Sequence, residues 1–421
     1  MPRSACRLRI VWIVAATLSL CAAFPAPSAG QDSARSLTEA RFQQWLEGVV
    51  WPASRGQGVS RQTFDRARPL MILDWGLPEL ELPGRPAVSG DQRQAEFQAP
   101  GAYFDEARMA ALAKTGRGLL KQWGRVLDTI ERRTGVPAEI VVAIWGRESH
   151  FGAVVPRRLA LSVLATQAFM GRRKDLYEPE LLAALAMLEA GPMPGEDLLS
   201  SWAGAMGQPQ FLPSKVLAYA VDEDGDGRRD IWRSVPDSLA SIAHYLAAHG
   251  WQAGRGWGVE VRVPAEVSCS LEGPRRGRPA REWRDLGILP AGGATLPEAS
   301  GDARQFLLMP AGRSGPAFLV SENFYTLKAY NESDLYALVI GHVAERMQGG
   351  AALAAAWRPV SALKRGDIRD LQERLRGQGY DVGRVDGLVG FATRTAIGAW
   401  QAKAGRPETC FPDAALIRDV R

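Results

Sequence analysis

The segment WGRESH, residues 145–150, closes an apolar run with one carboxylate, Glu148, set among Arg147, Ser149 and His150. Within VPAEIVVAIWGRESH, residues 136–150, Val141, Ile144 or Trp145, and Glu148 fall at i, i+3/4 and i+7. The carboxylate therefore shares the apolar stripe of a helix, and that stripe faces an interior. A poorly solvated carboxyl has a raised pKa and stays protonated near neutral pH, the state that a general acid requires. Gly146 and Gly152 bracket it and are expected to leave room for a bulky ligand against the backbone. From helix position alone, a surface glutamate paired with an arginine fits equally well.

The neighbouring chemistry narrows the choice. SSWAGAMGQPQFLPS, residues 200–214, gathers Ser201, Gln208 and Gln210 into a turn-prone segment whose polar groups could bind a sugar or simply shape a loop. Glycoside cleavage generally uses two carboxylates about 5–9.5 Å apart. Glu139 lies nine residues before Glu148 on another helix face, and no acid occurs from Ser149 to Lys174. A lone acid suits a mechanism in which the substrate supplies its own nucleophile.

DEDGDGRRDIWR, residues 222–233, sets Asp222, Asp224 and Asp226 at positions 1, 3 and 5 of a calcium-type loop. Gly227 stands at the sharp-turn position and Arg228 offers a backbone carbonyl at position 7. Position 12 holds Arg233 instead of glutamate, which leaves Asp237 as the substitute ligand. The expectation is a structural Ca²⁺ and no organic cofactor; the alternative is a metal-free Asp/Gly turn.

These residues need a largely helical frame. LTEARFQQWLEGVV and VSRQTFDRA read as two helices, the second capped by Ser60, and a Pro/Gly-rich loop, LPELELPGRPAVSGDQR, follows. Arg108 to Thr134 reads as one long helix, stopped by Gly135-Val136-Pro137. Helical runs continue to residue 250. GVEVRVP then alternates as a half-buried strand, and residues 251–320 read as a small β-containing insertion before NESDLYALVIGHVAERM returns to helix. GGAALAAAWRPVSALKRGD is expected to link to a separate C-terminal unit.

VVAIWGRESHFG followed by SWAGAMGQPQFLPSKVLAYAVDEDGDGRRDIW resembles the lytic murein transglycosylase B family, over roughly residues 36–350 and most specifically over 137–250. The resemblance implies a lysozyme-like α fold that cleaves the MurNAc-β-1,4-GlcNAc bond of peptidoglycan glycan strands without water. Glu148 would protonate the leaving oxygen, then take the proton of the MurNAc C6 hydroxyl to leave a 1,6-anhydromuramoyl end. It also places Ser201, Gln210, Tyr245, Tyr330, Asn331 and Tyr336 along the sugar cleft. Arg172 and Arg173 would meet the anionic stem peptide or lactyl group. Taken singly, each aromatic is better explained by core packing.

Leu363 to Pro407, with an LQxxL helix, a GY turn, VDGxxG and a T-x-x-A-I-x-x-W-Q helix, resembles the three-helix peptidoglycan-binding domain of the first type. It implies a wall tether that raises local concentration without doing chemistry. The expected architecture is thus mainly α, with a signal peptide over 1–30, a catalytic region over 31–354 and a peptidoglycan-binding domain over 361–421.

Arg3, Arg7 and Arg9 ahead of the apolar run Ile10 to Ala23 make the start a secretory signal, which places the mature chain in the periplasm; lipidation of Cys21 is the less favoured outcome because Leu20 precedes it. Removing those arginines lowers the formal charge from +5 to +2, which gives no argument for nucleic acid. Beyond residue 30 no run approaches the ~18–20 apolar residues of a membrane span. Cell-wall synthesis enzymes are the protein partners such an enzyme would meet. Cys269 and Cys410 allow a single bridge at most. Three rivals remain at this level: a muramidase-type hydrolase, a non-catalytic peptidoglycan-binding scaffold, and a Ca²⁺-dependent adhesion module.

Overall fold

The computed structural model describes residues 29–82, 100–154, 156–191, 195–292, 303–361 and 363–420. The expected signal segment, with Cys21, and most of the Pro/Gly-rich loop lie outside the described residues. No helix among those described is long and apolar enough to cross a membrane.

The helical frame is built around two central helices, Ala138–Ser149 and Asp334–Met347, which pack on each other and on Glu106–Gln122. Val141, Ile144 and Trp145 are buried, as the stripe containing Glu148 requires. Ser60 caps Arg61–Ala67 by accepting the Thr63 N–H at 3.2 Å, satisfying one of the amides that a helix start leaves open. The expected single helix from Arg108 to Thr134 is two, Glu106–Gln122 and Gly124–Thr134. Trp123, at φ −101° and ψ 12°, leaves helical geometry between them, and side-chain periodicity cannot register a break that keeps apolar residues on both sides.

Two short strands, β1 (Arg158–Leu159) and β2 (Leu199–Ser200), clip the start of helix Ala160–Met170 to the 200–211 loop. The insertion carries a five-stranded antiparallel sheet in the order β4-β6-β7-β3-β5: Arg278–Pro279, Arg304–Leu308, Ala317–Val320, Gly258–Arg262 and Leu289–Pro290. The alternation in GVEVRVP becomes β3. One sheet face covers Trp257, Phe318 and Phe324 of the main core, and the other closes a smaller core around Val261, Cys269, Trp283 and Leu307.

The C-terminal helices Arg365–Gly377, Phe391–Lys403 and Ala414–Asp419 enclose their own core of Leu371, Leu375, Val382 and Ile397. This unit is docked rather than strung on a loose linker. A disulfide joins Cys269 of the insertion to Cys410, and Ala311, Ile368, Val389 and Phe411 form a junction core with Trp357 of the connecting segment.

Candidate active site

Glu148 stands one residue before the end of its helix, and the chain then makes a tight turn through three successive residues of positive φ: His150 (51°), Phe151 (59°) and Gly152 (78°). Two non-glycine residues in that region store backbone strain, which persists where packing over-determines it. The Ser149 hydroxyl holds the turn by accepting the Gly152 N–H at 3.0 Å. The two flanking glycines do not open space for a ligand, contrary to expectation. A Cβ on Gly146 would lie 2.5 Å from the Phe151 ring, and one on Gly152 would lie 2.6 Å from Gln208 Oε1. They permit close packing of the turn instead.

Of the two readings open for Gln208, sugar contact or shaping of the loop, the structure shows the second. Gln208 is buried, accepts the Trp145 indole N–H at 2.7 Å and donates to the Trp232 carbonyl at 3.3 Å, so it ties the Glu148 helix to the 200–211 loop. Ser201 turns its hydroxyl back on the loop, accepting the N–H groups of Ala203 (3.3 Å) and Ala205 (3.2 Å). Gln210, at φ 55°, donates from its side chain to the Gly207 carbonyl at 2.9 Å. Both remain half-buried.

An aromatic wall faces Glu148. The Tyr336 hydroxyl donates to Glu148 Oε1 at 2.6 Å, and the Tyr330 ring stacks on Tyr336 with centroids 6.2 Å apart. Tyr330 donates to the Pro209 carbonyl and Tyr245 to the Ala329 carbonyl, each at 2.7 Å. Thus only Tyr336 of the three touches the carboxyl; Tyr245 and Tyr330 brace the wall. Asn331 ends helix Glu322–Asn331 in an exposed position.

Burial pushes the Glu148 carboxyl above its ordinary range, against the opposing pull of the Tyr336 hydrogen bond and of the charges on Arg147 and Lys215. Burial likewise holds Tyr336 well above a normal phenol, so it remains a donor. Among the described residues, no second carboxylate is one of the groups that shift Glu148.

Lys215 escaped the sequence reading. Its ammonium lies 4.7 Å from the Tyr245 ring centroid and 5.6 Å from that of Tyr330, and it donates to the Tyr330 carbonyl at 3.3 Å. The signal available was one lysine in a short apolar helix, Pro213–Tyr219, directly after the 200–211 loop.

Arg172 and Arg173 both contact Glu79. The Arg172 N–H donates to the Glu79 carbonyl at 3.1 Å, and the Arg173 guanidinium pairs with the Glu79 carboxylate at 3.3 Å and donates to Tyr177. They fasten the 77–81 segment to the start of helix Lys174–Ala190.

In the acidic loop, carboxylate oxygens of Asp222, Asp224 and Asp237 lie within 4.8 Å of one another. Buried Asp237 accepts the N–H groups of Glu223 (2.8 Å), Asp224 (3.4 Å) and Asp230 (2.8 Å). Even so, burial pushes its carboxyl up, with the Asp224 charge acting the same way. Asp226 stands outside this group and accepts the Arg228 N–H at 2.8 Å.

The transglycosylase SLT domain matches residues 41–345, and a peptidoglycan binding domain matches residues 364–418. Membrane-bound lytic murein transglycosylase B of Escherichia coli K12 is 33% identical over 226 residues, which is 52% of this chain and 60% of that protein's length. SltB3 from Pseudomonas aeruginosa, solved in complex with NAG-anhNAM-pentapeptide, superposes with a TM-score of 0.77 at 39% identity, over 90% of this chain and 99% of that one. SltB1 from the same organism superposes with a TM-score of 0.54 at 26% identity, over 74% of this chain and 97% of that one. A match running through nearly all of the helical frame and insertion makes this chain a member of the transglycosylase SLT domain family, in its lytic murein transglycosylase B branch.

Proposed function

We propose that this protein is a secreted lytic transglycosylase that cleaves the MurNAc-β-1,4-GlcNAc bond of peptidoglycan with Glu148 as its single acid and base. The observation that carries this reading is the Tyr336 hydroxyl on Glu148 Oε1 at 2.6 Å, in a desolvated site where no partner carboxylate acts on Glu148 among the described residues. With Oε1 occupied, Oε2 is left to hold the proton. That proton passes to the glycosidic oxygen as the C1–O bond breaks, and the substrate's N-acetyl group stabilises the developing positive charge. Glu148, now a carboxylate, takes the C6 hydroxyl proton while that oxygen bonds to C1. The nucleophile is already tethered in the sugar, so its effective concentration far exceeds that of a free reactant. The likeness to SltB3, whose complexes hold NAG-anhNAM- and NAG-NAM-pentapeptide, supports the same substrate class.

Ser201, Gln210 and Asn331 would contact the sugar, with Tyr245 and Tyr330 holding the wall. Arg172 and Arg173 would meet the anionic stem peptide or lactyl group. A 1,6-anhydro end has no free anomeric hydroxyl. Purified sacculi should therefore lose turbidity without a matching rise in borohydride-reducible ends. A stoichiometric rise in reducible ends would identify a muramidase, and unchanged turbidity would favour a binding scaffold.

The Lys215 charge provides a pH test. It draws the Glu148 pKa down, so Lys215→Met raises it and keeps the acid protonated to higher pH. The alkaline limb of the kcat/KM profile should move upward relative to wild type. An unmoved limb would exclude Lys215 from setting the acid.

The acidic loop fits a hard cation with oxygen ligands, since its three converging carboxylates include one that burial and a like charge both burden. Asp222, Asp224 and Asp237 would hold a structural Ca²⁺, with Asp226 and the Arg228 carbonyl completing the shell after a local turn. The ion would cross-link the loop and supply no catalytic chemistry.

A further inference from the structure

We propose that Arg394 of the C-terminal domain is a positioning residue for the Tyr336–Glu148 pair, acting through Asp334, so that this domain is part of the catalytic scaffold as well as a wall contact. The inference rests on the reading of Glu148 as the acid. Arg394 occupies an unspecified position in the T-x-x-A-I pattern, where a surface helix usually carries a solvated charge. Here its side chain is 3% exposed. Its guanidinium lies 2.5 Å from Glu272 of the insertion and 3.3 Å from Asp334 of the helical frame, while Nη1 donates to the Val389 carbonyl at 2.9 Å. Three parts of the chain, far apart in sequence, thus meet on one buried cation.

Asp334 is the first residue of helix Asp334–Met347, and Tyr336 sits two residues on. Ser333 caps that first turn by accepting the Tyr336 N–H at 3.1 Å. Asp334 is gripped from one side by Lys328 at 2.7 Å and from the other by Arg394. A shift of this turn moves the Tyr336 hydroxyl relative to Glu148 directly. Burial makes the arrangement sensitive, because loss of the guanidinium would leave the fully buried Glu272 carboxylate without its cation and half-buried Asp334 held by Lys328 alone.

The junction around the triad is built to hold its geometry. Beside it lie the Cys269–Cys410 disulfide and the Glu272 Oε1 contact with the Met309 N–H at 3.0 Å. Arg313 of the insertion donates from its backbone to the Thr409 carbonyl and from its side chain to the Glu408 carbonyl, both at 2.9 Å. A freely swinging tether would need none of these.

The full-length protein with Arg394→Met, and with Arg394→Lys as the variant that keeps the charge but loses the two-pronged fork, tests the coupling by two readouts. Hydrogen exchange should show about tenfold less protection at amides 334–338 in the methionine variant, and a smaller loss in the lysine variant. On a soluble glycan fragment, where wall affinity does not enter, kcat should fall about tenfold or more with KM nearly held. Wild-type protection at 334–338, loss confined to 365–420, or a loosened first turn with wild-type kcat would each overturn the proposal. If the methionine variant fails to fold, the lysine variant decides by the same criteria. Should wild type release nothing from any glycan, the functional reading fails, and exchange alone still decides whether Arg394 holds the Tyr336 turn.

Discussion

Glu148→Gln is expected to fold normally and to lose at least ~100-fold in turnover, the usual scale for removing a general acid. Glutamine keeps the carbonyl oxygen that accepts the Tyr336 hydroxyl but cannot give a proton to the leaving oxygen or receive one from the C6 hydroxyl. The stability effect has a definite sign. Burial raises the Glu148 pKa in the folded state, so over the pH window above the unfolded value the native protein binds more protons than the unfolded chain. Stability contributed by this group is present in acid and is lost as pH rises through the folded pKa. Glutamine carries no such penalty, and the variant's Tm at pH 8 should equal or exceed wild type. Thermal scans at pH 5 and pH 8 beside rate measurements on sacculi check both halves. Near wild-type turnover would remove Glu148 from its role, and a large fall in Tm would mean that lost activity reports misfolding.

The second large effect is structural. Asp237→Ala should cost about 2–4 kcal/mol, because three N–H groups, those of Glu223, Asp224 and Asp230, lose their acceptor together. Asp237→Asn keeps one acceptor oxygen and should cost less. The same residue separates the loop's own hydrogen bonding from its metal chemistry. Millimolar Ca²⁺ should raise the Tm of chelator-treated wild type and leave Asp237→Asn unmoved, since only a ligand bound to the native state shifts unfolding. Absence of calorimetric heat and of any Tm shift with wild type would leave the loop as a metal-free turn held by Asp237 alone.

Much of the frame was legible because it is written in local patterns. The stripe through Val141, Trp145 and Glu148, the Ser60 cap and the alternation in GVEVRVP each depend on a few adjacent residues, and the corresponding helices and strand are present. Glu148 could be singled out because a lone acid on an apolar stripe conflicts with its surroundings. What was not legible depends on residues brought together over long separations. Gly146 and Gly152 look like openings in sequence, and only the folded turn brings Phe151 and Gln208 onto them. Gln208 reads equally as a sugar ligand or a loop residue until Trp145, 63 residues earlier, claims its oxygen. Lys215 and Arg394 drew no reading from the sequence. Their burial follows from packing between segments that no periodicity relates, and the contacts that dock the C-terminal unit on the insertion are of the same kind.

The most direct test of single-carboxylate, water-free cleavage is to digest sacculi with wild-type protein in ¹⁸O-labelled water and weigh the released muropeptides. Attack by the substrate's own C6 hydroxyl predicts products lighter by one water than the hydrolysed fragments and carrying no heavy oxygen. A heavy oxygen at the newly formed muramoyl end would show that water had been the nucleophile, and would contradict the account.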